Sequence, residues 1–538
     1  MAAVAHAMEA QSVPEFDAVV IGAGVSGLYQ LYKLRQLGLK VRVFEAGTGV
    51  GGTWYWNRYP GARFDSESWT YGYSFSEELL KEWHWQEHFA PQPETERYLN
   101  HVADKFDLRR HIQFESRVAS AHYREDTCSW DIALEDGQRY STRFLLTAIG
   151  ILSAPTMPNI PGVGSFKGQA CHTHAWPQEG VDFAGKRVGI IGTGATAVQT
   201  IQEIAKTVGH LTVFQRTPNW CAPLHNAKIS DAEMNDIRAR YDEIFALCKT
   251  SPGCYIHAPD PRSTLEVSQE EREAFWEKLY DEPGFGIWMG NFSDMLTNRE
   301  ANALASDFMA RKIRQRVQDP AVAEKLIPKN HGLGTRRVPL ETGYYEVYNQ
   351  PNVEFIDINE APIERITPNG IKTSDRDHEF EIIIYATGFD AITGAFDRID
   401  IRGVDGARLK DLWQDGPQTL ARRPGRRLPQ YADGDGPARG ARQFHTNRGV
   451  QRREGHRFDP VRHRARPDPD RGHRRRRRRM DEPCPGPRPG SSDERDRLVD
   501  DGCQPQCRGK AETQDHALQR RTSGLSRVLR RGRGGRIS

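Results

Sequence analysis

The sequence predicts an α/β fold with two Rossmann-like dinucleotide-binding domains, a helical insertion, and a disordered tail rich in Arg, Pro and Gly. Glycine-rich loops at residues 22–27 and 192–197 each follow a short apolar strand and lead into a segment of helical periodicity. Near residue 420 the composition changes and apolar runs disappear. The expected organisation is a first domain over residues 1–151, a second over 152–388 with the insertion at 225–330, a return to the first over 389–419, and the tail over 420–538.

The first glycine loop has every part of a dinucleotide fingerprint. An apolar strand runs into Gly22-Ala-Gly24-Val-Ser26-Gly27, and the next strand ends on Glu45. Gly22 permits a tight turn, Gly24 lets the backbone approach a pyrophosphate, and Gly27 allows helix and strand to pack closely. Glu45 can accept ribose hydroxyls, and its charge disfavours a 2′-phosphate. The loop therefore predicts FAD or NAD rather than NADP, although the glycines alone would fit an ordinary turn.

The second glycine loop ends differently. It comprises Gly192, Thr193, Gly194, Ala195, Thr196 and Ala197, and Gln199 shortly after is a further expected cofactor-binding residue. The strand that follows ends on Gln215-Arg216-Thr217, without an acidic residue. A guanidinium at this place suits a 2′-phosphate, so we expect NADPH at this site and FAD at the first. A solvated surface role for Arg216 is the alternative.

Shorter apolar segments predict further strands. We expect them at residues 114–118, 130–134, 144–147, 353–358 and 380–386, and a hairpin at 363–371.

A linker motif lies between the two loops. It reads Phe166-Lys-Gly168-Gln-Ala-Cys-His172-Thr173-His-Ala-Trp176-Pro177 and follows a Pro-rich stretch at residues 152–161. Because such a stretch marks a domain boundary, we interpret the motif as a joint between the two domains. His172 is then a hinge residue rather than a catalytic base.

Residues 51–65 combine glycines, aromatic residues and one acid. They read Gly51-Gly-Thr53-Trp54-Tyr55-Trp56-Asn-Arg-Tyr-Pro-Gly-Ala-Arg-Phe-Asp65. A loop with buried aromatics explains most of them, but a carboxylate beside a nucleotide site needs a partner. An arginine nearby would keep Asp65 ionised. Arg336 and Arg337 lie in a loop that enters a strand, where a solvated turn explains them equally well.

Composition excludes several classes of function. The formal net charge is +3 over 538 residues, and acidic and basic residues alternate through 225–330, which gives no support for nucleic-acid binding. The cysteines show no zinc-like spacing and no CxxC or CxxxxC pair before the tail, so neither a metal site nor a disulfide redox centre is predicted. No signal peptide and no membrane-spanning run is found. We expect a cytoplasmic monomer without a membrane partner.

These motifs together resemble a known family. Two dinucleotide loops joined by Phe-x-Gly-x-x-x-His-Thr-x-x-Trp-Pro are typical of the flavin-dependent Baeyer–Villiger monooxygenases, and the similarity covers about residues 17–419. A second fingerprint of that family, Gly-Gly-x-Trp-x-x-x-x-Tyr-Pro-Gly-x-x-x-Asp, is complete at residues 51–65. The resemblance implies an NADPH-consuming FAD enzyme that inserts one oxygen of O2 beside a ketone carbonyl, through a C4a-peroxyflavin, to give an ester or lactone.

The resemblance also implies roles for particular residues. Arg337 would be the active-site arginine and Asp65 its carboxylate partner near the flavin. Contacts to FAD are implied for Ser26, Glu45, Thr53, Trp54, Tyr55, Trp56, Asp65, Tyr71 and Val118, and contacts to NADP for Arg216, Thr217 and Arg336. Arg337 would also bind a cofactor. Oxygenation of amine nitrogen or sulfide sulfur by a related flavin monooxygenase, and an inactive remnant, stay open as alternatives.

The resemblance stops where the sequence becomes Leu420-Ala-Arg-Arg-Pro-Gly-Arg-Arg. A segment of this composition cannot bury enough apolar surface to offset its ordering entropy. We interpret it as a frameshift near codon 420 in a GC-rich gene; the alternative is a basic tail that binds nucleic acid or an anionic membrane. If this tail is translated, we expect the first domain to lack its last strand, the pocket to lack one wall, and activity to be in doubt.

Overall fold

The computed structural model describes residues 14–251 and 253–417, together with the backbone of a short strand at 431–433. By its internal contacts the chain divides into two units, Met1–Arg457 and Phe458–Ser538, and every described residue belongs to the first. The tail predicted over residues 420–538, its disorder and its interpretation as a frameshift otherwise lie outside the described residues.

The strands are β1 (Phe16–Ile21), β2 (Val41–Phe44), β3 (Ile112–Gln113), β4 (Val118–Arg124), β5 (Ser129–Leu134), β6 (Arg139–Thr147), β7 (Gln169–His172), β8 (Arg187–Ile191), β9 (His210–Gln215), β10 (Ala222–Pro223), β11 (Leu340–Glu341), β12 (Val353–Asp357), β13 (Ile363–Thr367), β14 (Gly370–Thr373), β15 (Asp377–Glu379), β16 (Ile382–Tyr385), β17 (Asp400–Arg402) and β18 (Tyr431–Asp433).

The α-helices are α1 (Val25–Gln36), α2 (Thr53–Trp56), α3 (Ser68–Tyr71), α4 (Glu77–Glu82), α5 (Gln92–Lys105), α6 (Ala195–Ile204), α7 (Asp231–Ala239), α8 (Tyr241–Thr250), α9 (Gln269–Asp281), α10 (Gly286–Met289), α11 (Arg299–Arg316), α12 (Pro320–Leu326), α13 (Tyr344–Val347) and α14 (Leu409–Leu412). Short 3-10 turns occur at Arg109–His111, Phe396–Arg398 and Val404–Gly406.

The first sheet has the strand order β17-β4-β5-β6-β1-β2-β3. β1 pairs in parallel with β2 and β6, whereas β5 pairs antiparallel with β4 and β6. Every position of β1 except Asp17 is buried. Strands that are covered on both faces carry continuous apolar runs, which is why β1 is apolar from Ala18 to Ile21 rather than alternating.

The second sheet is parallel throughout, with the order β12-β9-β8-β16-β7. Its interior strand β16 is buried at all of its positions. Each of the two sheets has a glycine loop directly after a central strand, β1 or β8, followed by a helix, α1 or α6. The prediction of an α/β fold with two dinucleotide-type domains is therefore confirmed.

Two segments of chain connect the sheets. The chain leaves the first sheet after β6 and returns to it after β16. These crossing segments are hydrogen bonded to each other: the N–H of Asp390 donates to the carbonyl of Ala154 at 2.8 Å, and that of Ile392 to the carbonyl of Ile151 at 3.0 Å. Rotation of one sheet against the other would therefore bend both segments together.

Helices α7 to α12 follow one another between β10 and β11. Helices α7, α9, α11 and α12 begin after Ser230, Ser268, Asn298 and Asp319, whose side chains accept N–H groups of the first turn. β10 and β11 pair in parallel, so this helical region starts and ends at one place. That place adjoins the loop that carries Arg337.

Two details differ from the sequence-based expectations. The strand expected at residues 114–118 is wrong, because β3 ends at Gln113 and Glu115 has φ = +53°, which breaks an extended chain. The first sheet was expected to lack its last strand, yet the backbone of β18 pairs in parallel with residues 145–147 of β6. The pairing of β5 with β6 ends at Thr142. Beyond it, this edge of β6 offers backbone N–H and C=O groups that can pair with any short extended segment, whatever its composition.

Within the described part of the chain, no helix has the length and apolar character needed to cross a bilayer.

Candidate active site

Asp65 and Arg337 are in contact although 272 positions separate them. The Arg337 Nη2 group donates to Asp65 Oδ2 at 2.8 Å, and the backbone N–H of Leu340 points at the same oxygen from 3.4 Å. The Asp65 side chain is only 1% exposed, whereas 49% of the Arg337 side chain is accessible. A buried anion thus holds a cation whose other face is open.

The charge of Arg337 is secured by its surroundings. Desolvation alone would lower the pKa of the guanidinium, but Asp65 outweighs it and the net effect raises that pKa. Tyr59 and Tyr255 lie nearby, and burial raises the pKa of both phenols. Arg337 is therefore a permanent positive charge beside neutral aromatic side chains.

The first glycine loop is built by close backbone contacts. Gly22 has φ = +100°, and a Cβ on Gly27 would lie 1.9 Å from the carbonyl oxygen of Gly22. A Cβ on Gly52 would lie 2.8 Å from the Cα of Gly24. The loops at residues 22–27 and 51–53 consequently touch and form one continuous backbone wall.

Glu45 stands beside this wall at the end of β2. Its carboxylate accepts the backbone N–H groups of Ala23 at 2.7 Å and Gly47 at 2.8 Å. Burial raises the pKa of this carboxyl, while the two N–H groups act in the opposite direction. Each carboxylate oxygen can accept a further hydrogen bond, which is what recognition of ribose hydroxyls requires.

Aromatic side chains pack behind the same wall. Trp54 Nε1 donates to the Tyr71 hydroxyl at 2.8 Å, and Phe64 stacks on Tyr71 with ring centroids 4.4 Å apart. Burial raises the pKa of Tyr71 to about 12. Trp56 stacks instead on His174 of the linker motif at 5.9 Å. The aromatic run after Gly52 therefore contacts both the interior of the first domain and the joint.

The remaining residues implied to contact FAD divide into two groups. The Ser26 hydroxyl accepts from Gln30 at 3.2 Å and is partly exposed, and Thr53 is exposed at the start of α2. Tyr55 is buried with its hydroxyl 2.7 Å from that of Thr48, and Val118 is buried at the start of β4. Ser26 and Thr53 keep polar groups available to a ligand, whereas Tyr55 and Val118 are packed into the protein.

The second glycine loop has the same turn in a more open setting. Gly192 has φ = +113°, but a Cβ on Gly194 would meet no atom within 4 Å. The Thr193 hydroxyl donates to the carbonyl of Thr217 at 3.1 Å, which ties the loop to the end of β9. Ala197 is buried.

Two exposed arginines were expected to contact the nucleotide of this second loop. Arg216 is exposed directly after β9, where its carbonyl accepts from Asn359 at 2.6 Å. Arg336 is also exposed and lies close to His331, whose pKa is lowered by burial and by Arg336. Accessible guanidinium groups of this kind can bind phosphate in a bidentate manner.

The histidines of the linker motif contact the returning crossing segment. His172 Nε2 lies 3.4 Å from the Thr387 hydroxyl, and His172 Nδ1 accepts the backbone N–H of His174 at 3.1 Å. Both imidazole rings pack edge-on against Phe389. Burial lowers the pKa of both histidines, that of His174 to about 4. Both rings are therefore neutral at physiological pH.

The other residues of the linker motif make packing contacts within the protein. A Cβ on Gly168 would lie 2.5 Å from the ring of Phe166, so the chain packs tightly there. The Thr173 hydroxyl lies 3.2 Å from that of Thr196 at the start of α6, and Trp176 is buried. The motif thus connects the second glycine loop to the crossing segment.

Sequence analysis missed one buried pair, and it expected Gln199 to be a cofactor-binding residue. Glu67 Oε1 contacts His257 Nε2 at 2.8 Å, and Glu67 Oε2 is among the buried atoms of the described residues that lack a hydrogen-bond partner. In the sequence, Glu67 was marked as a candidate only by its position two residues after Asp65, and nothing marked His257. The amide of Gln199 is directed to residues 59–65.

The two sheets, their glycine loops and the carboxylate–arginine pair define a protein with two dinucleotide-binding domains. Residues 17–230 match the flavin-binding monooxygenase-like family. The chain is 51% identical over 434 residues to the 2-oxo-Delta(3)-4,5,5-trimethylcyclopentenylacetyl-CoA monooxygenase of Pseudomonas putida, which covers 80% of each chain. It is 45% identical over 406 residues to a Baeyer-Villiger monooxygenase of Pseudooceanicola batsensis, over 75% of this chain and 74% of that one.

A solved structure agrees with these relatives. The crystal structure of OTEMO in complex with FAD and NADP is similar with a TM-score of 0.77 and 51% identity, over 78% of this chain and 80% of that chain. The chain therefore belongs to the flavin-binding monooxygenases of the Baeyer–Villiger type.

Proposed function

We propose that this chain is a monooxygenase that uses FAD, NADPH and O2 to convert a ketone into an ester or lactone. The observation that carries the proposal is the Asp65–Arg337 pair, in which a buried carboxylate fixes an arginine whose other face is accessible. Membership of the family, and the FAD and NADP complex of a similar structure, support the choice of cofactors.

The first glycine loop fits FAD. Side chains are sterically excluded at Gly22, Gly27 and Gly52, which leaves backbone against which a pyrophosphate can lie. Glu45 would hold the ribose hydroxyls. Bound FAD would supply electron transfer to O2, which no side chain of the protein can perform.

The second loop fits NADPH. Gly192 and Gly194 present backbone at the start of α6, and Arg216 and Arg336 offer accessible positive charge for a 2′-phosphate. Bound NADPH would supply hydride.

The residues of the chain contribute electrostatics and orientation. When the ketone carbonyl is attacked, negative charge develops on oxygen, and the accessible face of Arg337 can stabilise it. The hydrogen bond from Arg337 to Asp65 fixes the guanidinium before the reaction, so little reorganisation is needed in the transition state. The pKa of Arg337 is raised, so it does not act as a proton donor.

Purified full-length protein tests the proposal. We expect a flavin spectrum, NADPH oxidation, and ester or lactone product from at least one ketone of a panel of cyclic, aryl and long-chain ketones. Arg337→Ala should lower product formation by about 10²–10³-fold, the usual effect of removing one charge-stabilising donor. Arg365→Ala, at an exposed position of β13, is the control and should behave as wild type.

The same assay separates the alternatives. An amine and a sulfide are included, and oxygenation of these without any ketone product would replace the proposal with nitrogen or sulfur oxygenation. Protein that binds no flavin and oxidises no NADPH would indicate an inactive remnant.

The hinge role of His172 is part of the proposal. Its contacts to Thr387 and Phe389 in the returning segment support coupling of domain positions rather than proton transfer. His172→Ala should therefore slow turnover and keep flavin bound. A variant that had lost its flavin would contradict this role.

Oligomeric state, location and boundaries are proposed on sequence grounds alone. We propose a cytoplasmic monomer with domains divided near residues 151 and 388. Light scattering after size-exclusion chromatography would reveal any dimer.

A further inference from the structure

Helix α6 carries two buried glutamines on one face, Gln199 and Gln202. Gln199 Oε1 accepts the hydroxyl of Tyr59 at 2.9 Å, and its Nε2 donates to the carbonyl of Arg63 at 2.9 Å. The same Nε2 lies 3.4 Å from Asp65 Oδ1, on the opposite side of the carboxylate from Arg337. Gln199 therefore holds the segment at residues 59–65 at both of its ends.

The turn within this segment rests directly on α6. Gly61 has φ = +79°, and a Cβ on it would lie 2.3 Å from the carbonyl oxygen of Gln199 and 2.7 Å from Glu203 Cγ. No side chain separates the turn from the helix. A displacement of α6 would consequently displace the segment that ends at Asp65.

Gln202 makes the corresponding contact to the other half of the pair. Its Oε1 accepts the backbone N–H of Thr342 at 2.8 Å. Thr342 lies shortly after Arg337, and the intervening Leu340 points its N–H at Asp65. The hydrogen bonds therefore form a closed circuit from α6 to Asp65, on to the strand after Arg337, and back to α6.

The second glycine loop leads directly into the first turn of α6. Phosphates of a nucleotide bind at such helix N-termini. At about 1.5 Å of rise per residue, Gln199 and Gln202 lie about 6 Å and about 10 Å along the axis from the first residue of the helix. The helix thus spans the short distance between the second nucleotide loop and the Asp65–Arg337 pair.

We propose that Gln199 and Gln202 are positioning residues that transmit the presence of nucleotide at the second loop to the Asp65–Arg337 pair. The proposal rests on the proposed function and goes beyond it. It gives the amide of Gln199 a role within the protein rather than as a cofactor ligand.

Hydrogen–deuterium exchange of the full-length protein is the first test, because it requires no turnover. Added NADP+ should change exchange in peptides covering residues 59–65 and 337–342 of the wild type. Gln199→Ala and Gln202→Ala should bind NADP+ with an affinity within about threefold of wild type, because the lost hydrogen bonds do not involve the nucleotide. Both should lose the exchange response. Asn352→Ala is the matched control, since its amide also donates to a backbone carbonyl, that of Val208, but lies outside the circuit.

Coupling of NADPH oxidation to oxygenation is the second test. Gln199→Ala should oxidise NADPH but release most of the reduced oxygen as hydrogen peroxide, with product per NADPH reduced about tenfold, which corresponds to about 1.4 kcal/mol. Gln199→Met keeps most of the side-chain volume and removes both hydrogen bonds, so its coupling should fall as far as that of Gln199→Ala. It also provides a readout if the alanine variant folds poorly.

Three results would overturn the proposal. The first is an exchange response in Gln199→Ala equal to that of wild type. The second is a large loss of NADP+ affinity with normal coupling, which would make Gln199 a nucleotide ligand. The third is a proportional loss of stability and all activities, matched by Asn352→Ala. Wild type that gives the exchange response but no ketone product would refute the proposed function and leave this coupling standing.

Discussion

The two glycine loops share one backbone plan but differ in how tightly they are enclosed. Gly22 and Gly192 have φ of +100° and +113°, and a Cβ on either would lie 2.4 Å from the carbonyl oxygen of an alanine. At the third position of the motif they diverge. A Cβ on Gly27 would lie 1.9 Å from the backbone, whereas Ala197 already carries a Cβ and is buried.

The middle glycines show the same contrast. A Cβ on Gly24 would lie 3.3 Å from the Cα of Gly52, whereas one on Gly194 would meet nothing within 4 Å. The first loop is therefore closed by a second segment of its own domain, and the second loop is open. A closed loop suits a cofactor that stays bound, and an open loop suits a nucleotide that exchanges in every cycle.

Substitutions at the third motif position, Gly27 in the first loop and Ala197 in the second, should have the largest effect. Gly27→Ala should cost at least about 3 kcal/mol in the free energy of unfolding, the upper end for an overpacked site, and should abolish flavin binding. Ala197→Gly is the matched change in the second loop and should cost about 2 kcal/mol, from lower helix propensity and the loss of one buried methyl group. Urea unfolding and the ratio of flavin to protein measure both.

This comparison would fail in a clear way. If Gly27→Ala retained its flavin, the close approach of α1 to Gly22 would not be what requires glycine. If Ala197→Gly destabilised the protein as much as Gly27→Ala, the two loops would be equally enclosed.

Nucleotide preference should show the next largest effect. Arg216→Ala removes an accessible guanidinium from the second loop, and loss of a charge-assisted hydrogen bond of about 1.5–3 kcal/mol should raise KM for NADPH about 10- to 100-fold. KM for NADH should hardly change, because NADH has no 2′-phosphate. Steady-state kinetics with both nucleotides measure the difference, and an equal rise for both would return Arg216 to the role of a solvated surface residue.

The contrast between the loops was only partly predictable from sequence. Both loops and their strands follow from local patterns, because glycine spacing and strand periodicity are local properties. The same patterns show that Arg216 stands in the second motif where Glu45 stands in the first. The contact between Gly24 and Gly52, and the circuit through Gln199, join segments that are distant in sequence. No spacing rule connects them.

The same limit applies to the carboxylates after the first loop. The pattern around Asp65 indicated that it needs a partner, but spacing alone could not choose between two adjacent arginines. The family resemblance implied Arg337, and the fold shows the contact. Glu67 has the same chemistry two positions later, yet its partner His257 lies in the helical region between β10 and β11. Tertiary contacts of this kind depend on how helices pack and leave no periodic signal.

The smallest expected effect concerns this Glu67–His257 pair, whose carboxylate lies in the same domain as the first glycine loop. Burial alone would lower the pKa of His257, but Glu67, with a contribution from Glu282, raises it above its ordinary value. A raised folded-state pKa means that the stabilisation is complete below about pH 6.5 and is lost as the pH rises through the folded-state value. His257→Gln keeps a hydrogen-bond donor and removes the charge.

The difference in the free energy of unfolding between wild type and His257→Gln should therefore be larger at pH 6 than at pH 9, by on the order of 1 kcal/mol. Urea unfolding at the two pH values measures it. His101→Gln is the control, because His101 and Glu82 form a similar pair at 2.6 Å with side chains 39% and 33% exposed. Solvent weakens such a pair, so its removal should change the free energy of unfolding less than removal of the buried pair. Equal differences at both pH values for His257→Gln would show that the buried pair contributes a neutral hydrogen bond and no charge interaction.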